Sequence, residues 1–295
     1  MLTFTTSDGT RLVIEETGAP DAPVTVLLLH AWTLSRRTWT RVAELLPKEV
    51  GGPVRVLRYD HRGHGDSAAP VTGSTTIAQL ADDLAEVLTE VVPSGPVVLA
   101  GHSIGGMTIM ALAERHPELF TARVAGVEFV NTSSGELGRD APGLPAPLAR
   151  AMVKAQLVHG RLLERRGARK IGPPTLLRPY LRWLLFGVGY ERAHLRETSE
   201  IIAGSHPLTL HGFLSDVLAH NRTKALSALS SVPVVVLTGG RDRLTPPKHS
   251  RVIAEQLPRA QLVIYPGAGH MVPVERSHEA ARLLAGMVRT ALPVG

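Results

Sequence analysis

The pentapeptide Gly101-His102-Ser103-Ile104-Gly105, set directly after the apolar run Val97-Val98-Leu99-Ala100, constrains this chain more than any other feature. A run of that kind reads as a buried strand, and Met107 to Ala113 beyond it carries a helical pattern that stops near His116-Pro117. Strand must therefore become helix within a few residues. At so sharp a bend the residues two before and two after the serine come almost into contact, so both must lack a side chain, as Gly101 and Gly105 do. Gly106 gives the new helix room to pack on the sheet. The bend presents Ser103 at the helix's first turn, where unpaired N–H groups favour negative charge. Two readings stay open: a nucleophile, or a serine that only caps the helix. Such pentapeptides arise by chance, and the strand before and helix after are what favour the nucleophile.

A serine hydroxyl is almost wholly protonated at neutral pH and needs a base. Val234-Val235-Val236-Leu237-Thr238 is a buried strand by its β-branched content, and Gly239-Gly240-Arg241-Asp242 places a carboxylate at its C-terminal end. A further apolar run, Leu262 to Tyr265, leads through Pro266-Gly267-Ala268-Gly269 to His270. The order is Ser103, Asp242, His270. Imidazole titrates close to neutrality, so His270 can accept the serine proton and return it to a leaving group, while Asp242 fixes the ring's tautomer. Singly, Asp242 reads equally well as a turn carboxylate and His270 as a surface loop residue; three strand ends with three matching residues carry the relay. An oxyanion needs two donors. The backbone N–H of Ile104 is one, and the Trp32 N–H, in the loop after the strand Val24 to Leu29, is the expected second. The Trp32 ring reads as a core aromatic and His30 as a loop anchor, neither of which cancels a main-chain role.

With these residues in hand, the chain resembles the α/β-hydrolase superfamily over nearly its full length. The resembling segments are His30-Ala31-Trp32 with Trp39, Asp60-His61-Arg62-Gly63-His64-Gly65-Asp66-Ser67, the bend Gly101 to Gly106, Gly239 to Asp242, and Gly267 to His270. Their spacing is most similar to the lid-bearing esterases, lipases and cofactor-free haloperoxidases. Ala31 stands where that group has glycine before the oxyanion tryptophan. The resemblance implies a mostly parallel central sheet with helices on both faces and an inserted helical lid. It also implies a cofactor-free, metal-free serine esterase acting through an acyl-enzyme on an apolar acyl ester. Relatives that cleave alkyl halides or epoxides carry aspartate at the elbow, so Ser103 speaks against both. A perhydrolase or C–C bond hydrolase using the same triad is the enzymatic alternative, and Thr33 replaces the proline that perhydrolases often carry there. A ligand-binding receptor on the same fold is the non-enzymatic one.

Composition fits this picture: 295 residues, 44% hydrophobic and 20% charged, suffice for one large core with an insertion. Without cysteine there is no disulfide, thiolate metal site or cysteine nucleophile. Met1 to Thr10 has neither a basic start nor an apolar run, and no stretch has the length of a membrane span, so the expected location is cytoplasmic. Net charge is +6, but only Arg161 to Lys170 clusters it. That segment reads as a solvated helix face, or as a surface for an anionic lipid, an acyl-phosphopantetheine carrier or a carboxylated substrate. With 4% aromatic residues and no accompanying motif, nucleic acid is not an expected partner.

Along the chain, Leu2 to Thr5 and Arg11 to Glu16 read as a hairpin turning at Asp8-Gly9. Strand and helix then alternate: a helix over Thr38 to Leu46, a strand over Val54 to Tyr59, and a helix with Ile77, Leu80, Leu84, Val87, Leu88 and Val91 on one face. Asp60 to Ser67 matches no phosphate loop and reads as a tight structural turn. After the strand Val124 to Val130, no buried strand appears until Val232. Residues 1–134 and 231–295 are thus the expected core, and 135–230 the lid, punctuated by Pro142, Pro145, Pro147, Pro173, Pro174 and Pro179 around helices at Leu148 to His159 and Leu176 to Phe186. Leu184, Leu185, Phe186, Val188, Leu208, Leu210, Phe213, Leu214 and Val217 either line an acyl pocket or pack the lid itself. His206, His211 and His220 match no zinc spacing.

Overall fold

The apolar runs pair into one eight-stranded sheet: β1 Leu2–Thr5, β2 Arg11–Gly18, β3 Thr25–Leu29, β4 Arg55–Tyr59, β5 Val97–His102, β6 Val124–Val130, β7 Val234–Gly239 and β8 Gln261–Tyr265. A computed structural model describes residues 1–137 and 146–292, so Pro142 and Pro145 lie outside the described residues. Strand order is β1-β2-β4-β3-β5-β6-β7-β8, with β2 antiparallel to both neighbours and β3 to β8 all parallel. All five residues of β3 are buried, as a strand covered on both faces must be. The order reverses about β3, so the loops leaving β3 and β5 part there and leave a crevice at the strands' carboxyl ends.

The helices are α1 Thr40–Val50, α2 Ile77–Glu86, α3 Ile104–Arg115, α4 Pro117–Arg123, α5 Ala146–Arg165, α6 Pro174–Leu185, α7 Arg192–Gly204, α8 Pro207–Ala219, α9 Pro247–Gln256, α10 Val272–Glu275 and α11 Ser277–Ala291. The period-two alternation of β3 and β5 divides the core. Val26, Leu28, Val98 and Ala100 pack with residues of α1 and α11, whereas Leu27, Leu29 and Leu99 pack with α2 and α3. The helix expected from Thr38 opens with a 3-10 turn over Arg36–Trp39, and the one through Val91 ends as a π turn over Val87–Val91 that keeps Leu88 buried.

Helices α5 to α8 all fall between β6 and β7. The two ends of that stretch meet: Gly135 bridges Asn221, and the Arg222 N–H donates to the Ser134 carbonyl at 2.7 Å.

Glu128 breaks the apolar pattern of β6. Opposite Ala100 and Val235 it lies on the α1 and α11 face, fully buried, and neither carboxyl oxygen has a partner among the described residues. Burial pushes its carboxyl well above the usual range, so the acid is neutral in the fold. Its burial costs least below the ordinary glutamate pKa, and the cost grows as pH rises from there toward the raised value, since the unfolded chain ionises and the fold does not. Glu128→Met, similar in size and apolar, is expected to raise stability by about 1–3 kcal/mol at pH 8 and by less at pH 4. Denaturant melts at the two pH values test this, and equal gains at both would refute the titration.

Candidate active site

The turn out of β5 is held from several sides. Ser103 adopts φ 52° and ψ −112°, a conformation that costs a non-glycine residue on the order of 1–3 kcal/mol and persists only where the surroundings enforce it. They do: its N–H donates to the Val130 carbonyl at 2.9 Å, and its carbonyl accepts from Thr132 Oγ1 at 2.7 Å and from the Gly106 N–H at 2.9 Å. A Cβ on Gly101 would stand 2.5 Å from the Gly105 carbonyl carbon. One on Gly105 would stand 2.5 Å from the Leu29 carbonyl oxygen, so β3, rather than Gly101, demands the second glycine. Ser103 occupies the N-cap position of α3, yet its hydroxyl makes no capping bond. The capping explanation for this serine therefore has no contact behind it.

Asp242 and His270 arrive on the loops after β7 and β8. His270 Nδ1 lies 2.8 Å from Asp242 Oδ2, and both side chains are buried. The Asp242 carboxylate is fully engaged. Oδ1 accepts from the Leu244 and Thr245 N–H groups at 2.8 and 3.0 Å; Oδ2 accepts from Thr245 Oγ1 at 2.7 Å and Asn131 Nδ2 at 2.5 Å. Burial pushes this carboxyl up, but His270 and the donations from Thr245 outweigh it and leave it below the usual carboxylate range. Asn131, at the end of β6 with φ 46°, also reaches the Gly269 carbonyl at 3.2 Å, tying the acid to the histidine loop. Beneath, His102 Nε2 lies 2.8 Å from the His270 carbonyl oxygen, its ring 4.9 Å from the His270 ring. Burial, then the neighbouring His270, hold the His102 pKa down to about 3, so His102 is neutral. Neither Asn131 nor Thr245 was apparent from the sequence; an asparagine directly after a buried strand was the available signal for the first.

Ser103, His270, Trp32 and Ile104 line one cavity of about 310 Å³. Among the described residues no hydrogen bond joins Ser103 to His270. The Trp32 and Ile104 N–H groups donate to no protein group among the described residues. The Trp32 indole, partly buried, donates to the Thr209 carbonyl at 2.9 Å, so its ring braces the loop against α8. Positive φ in this loop falls on Thr33, at 59°, so alanine at 31 meets no left-handed requirement. His30 Nδ1 contacts the Ala31 carbonyl at 2.8 Å and its Nε2 accepts from the His61 N–H at 3.0 Å, an anchoring role. In the Asp60 to Ser67 turn, a Cβ on Gly65 would meet Asp60 Oδ2 at 2.2 Å, and Asp60 is bonded to the Arg36 and Asp66 N–H groups.

The cavity wall contributed by the helices between β6 and β7 is mostly aliphatic, with Gln156, His159 and Tyr180 among its lining. Leu184, Leu185, Leu210, Leu214 and Val217 line it, as one of the two readings of these residues has it. Phe186 and Val188 instead face a separate groove, and Phe213 is buried in the main core. His206 accepts from the Leu208 N–H at 3.1 Å, His211 pairs with Glu164 at 2.7 Å, and His220 contacts Arg222 at 3.0 Å. No metal-binding cluster occurs among the described residues.

Comparison with known proteins agrees with this architecture. The model of the alpha/beta hydrolase family matches residues 26–283, and the chain belongs to that family. It is 26% identical over 280 residues to the pimeloyl-[acyl-carrier protein] methyl ester esterase of Neisseria meningitidis serogroup B, covering 94% of this chain and 98% of that protein. A Bacillus subtilis relative matches at 35% identity over 42% of its length. A thermophilic esterase from Thermogutta terrifontis superposes with a TM-score of 0.77 at 25% identity, covering 98% of each chain. A bromoperoxidase from Bacillus anthracis shares the fold, with a TM-score of 0.79, 20% identity and 95% and 96% of the two chains covered.

Proposed function

We propose that the protein is a serine hydrolase of carboxylic esters with Ser103, His270 and Asp242 as its triad. The supporting observation is the strained, uncapped Ser103 facing the same cavity as a histidine bonded to a saturated carboxylate. Ser103 Oγ attacks the ester carbonyl carbon and His270 Nε2 takes its proton. The Trp32 and Ile104 N–H groups receive the oxyanion, and the alcohol departs with the proton from His270. Water, deprotonated by the same ring, then releases the acid and frees Ser103. Asp242 stays ionised throughout, accepting the hydrogen bond from Nδ1–H, which keeps its proton. Peroxide in place of water would give a peracid, so the assay below is run with and without it.

Residues 135–230 act as a lid in this reading, and their aliphatic wall selects an uncharged acyl group. With about 30 Å³ for each water-sized group, the cavity holds about ten non-hydrogen atoms. A p-nitrophenyl ester panel from acetyl to palmitoyl is expected to show kcat/KM rising to an acyl length of about six to eight carbons. Each added CH₂ contributes at most about 0.8 kcal/mol, and palmitoyl should fall away steeply. A flat profile, or a maximum at palmitoyl, would refute the pocket assignment. No helix among the described residues is long and apolar enough to cross a membrane, and a cytoplasmic location completes the proposal.

A further inference from the structure

Helix α5 turns an apolar stripe to solvent. Leu148, Val158 and Leu162 are 54%, 56% and 42% exposed, and Ala151 and Ala155 between them are exposed as well. The steps from 148 to 151, 155, 158 and 162 alternate three and four, which places all five on one face. At 1.5 Å per residue the stripe runs about 21 Å, too long for scattered surface leucines to explain.

Arg150, Lys154, Arg161 and Arg165 form the adjoining row, all exposed, and none has a carboxylate partner among the described residues. Arg166, Arg169 and Lys170 follow in the turn. Within residues 146–170 the only acid is Glu164, which is already paired with His211 at 2.7 Å. Seven basic residues against one acidic make this segment +6, equal to the charge of the entire chain, so the remainder is neutral.

We infer that α5 lies on the surface of a bilayer leaflet carrying anionic headgroups. The stripe would sink to the acyl boundary while the flanking lysine and arginine stems reach up to the headgroups. A second copy of this chain fits poorly, because pairing stripe to stripe would set two basic rows side by side. A protein partner is usually gripped by aromatic anchors, and this stripe has none. The opposite side of the same helix explains why the surface matters: Met152, Val153 and Gln156 line the catalytic cavity. His159, exposed yet lining that cavity, borders the stripe next to Val158. An apolar ester dissolved in the leaflet would therefore meet the cavity beside the docked face.

Cosedimentation tests this without reference to ester turnover, so it stands or falls separately from the proposed chemistry. Full-length protein is mixed with phosphatidylcholine vesicles, or with vesicles containing about a third phosphatidylglycerol, at low and high salt. The expected result is at least tenfold stronger partition to the anionic vesicles, reversed by 0.5 M salt on the order of the Debye screening that implies. Val158→Asn with Leu162→Asn, and separately Arg161→Glu with Arg165→Glu, should each weaken it about tenfold or more. Unchanged thermal melts and unchanged hydrolysis of a soluble short-chain ester keep misfolding from mimicking the effect. Absence of partition by the wild type, or partition that both double variants retain, overturns the inference. So does a dimer in sedimentation velocity that the asparagine variant dissolves, since the occupant would then be a second copy.

Discussion

Ser103→Ala is expected to lower kcat for p-nitrophenyl esters by about four to six orders of magnitude, leaving the residual rate that binding and oxyanion stabilisation supply alone. KM should change little, because one oxygen leaves a cavity of about 310 Å³ whose wall is otherwise intact. A fluorophosphonate probe, which reacts only with an activated hydroxyl, should label the wild type and not the variant. The size of the loss follows from the geometry at the elbow. The threonine hydroxyls that line the same cavity are committed elsewhere, Thr33 to the Trp32 carbonyl and Thr245 to Asp242, while the close glycines place the Ser103 oxygen at the bend. Stability should fall little or rise, because the hydroxyl caps nothing. Wild-type turnover by Ser103→Ala would remove the triad from consideration, and labelling of both proteins would move the nucleophile elsewhere.

Asp242→Asn is expected to cost about 10⁴ in kcat with KM nearly unchanged. Asp242 does not line the cavity, so its loss reaches substrate only through the ring at His270. An amide there can present its NH₂ to Nδ1, which selects the tautomer whose Nε2 carries the proton and cannot accept one from serine. The replacement also sets an amide among donors. Asn131, Thr245 and the Leu244 N–H all aim at the two carboxyl oxygens, and an NH₂ group would face at least one of them. Stability should therefore drop as well, by about 1–3 kcal/mol. Since the native carboxyl lies below its usual range, the stability it adds is full above the ordinary aspartate pKa and lost as pH falls through the lowered value. The difference in melting between wild type and variant should shrink accordingly in acid. A loss carried by KM, or a pH-independent stability gap, would contradict this role.

The sheet, and the meeting of His270 with Asp242 beside the cavity that Ser103 lines, were legible because each rests on local chemistry. A β-branched run followed by Gly-Gly-Arg-Asp has few alternatives, and Gly101 and Gly105 advertise a bend that side chains forbid. What lay beyond reach depended on which side of an element faces which space. Phe186 and Val188 carry the same apolar character as Leu184 and Leu185, yet a residue or two of rotation at the end of α6 turns them to a different groove. Phe213, on α8 beside cavity-lining Leu214, points instead into the main core. Glu128 interrupts the apolar run of β6, and nothing in Val-Glu-Phe-Val shows that its carboxyl is fully buried and without a partner among the described residues. Asn131 acts on a carboxylate 111 residues away, a relation no spacing encodes, whereas Thr245 stands only three residues beyond Asp242.

The pinched base at Gly135 and Asn221 bears on how such a protein can diversify. Chain enters and leaves the helical insert at almost one point, so its length, sequence and packing can be rewritten without shifting the register of β6 or β7. In the proposed reading, grafting a foreign insert between Ser134 and Arg222 would exchange what the molecule recognises, provided it replaces the Thr209 carbonyl that braces Trp32 and the Phe213 ring that joins the main core. Under the proposed function, selectivity and reactivity would then be heritable as separate parts.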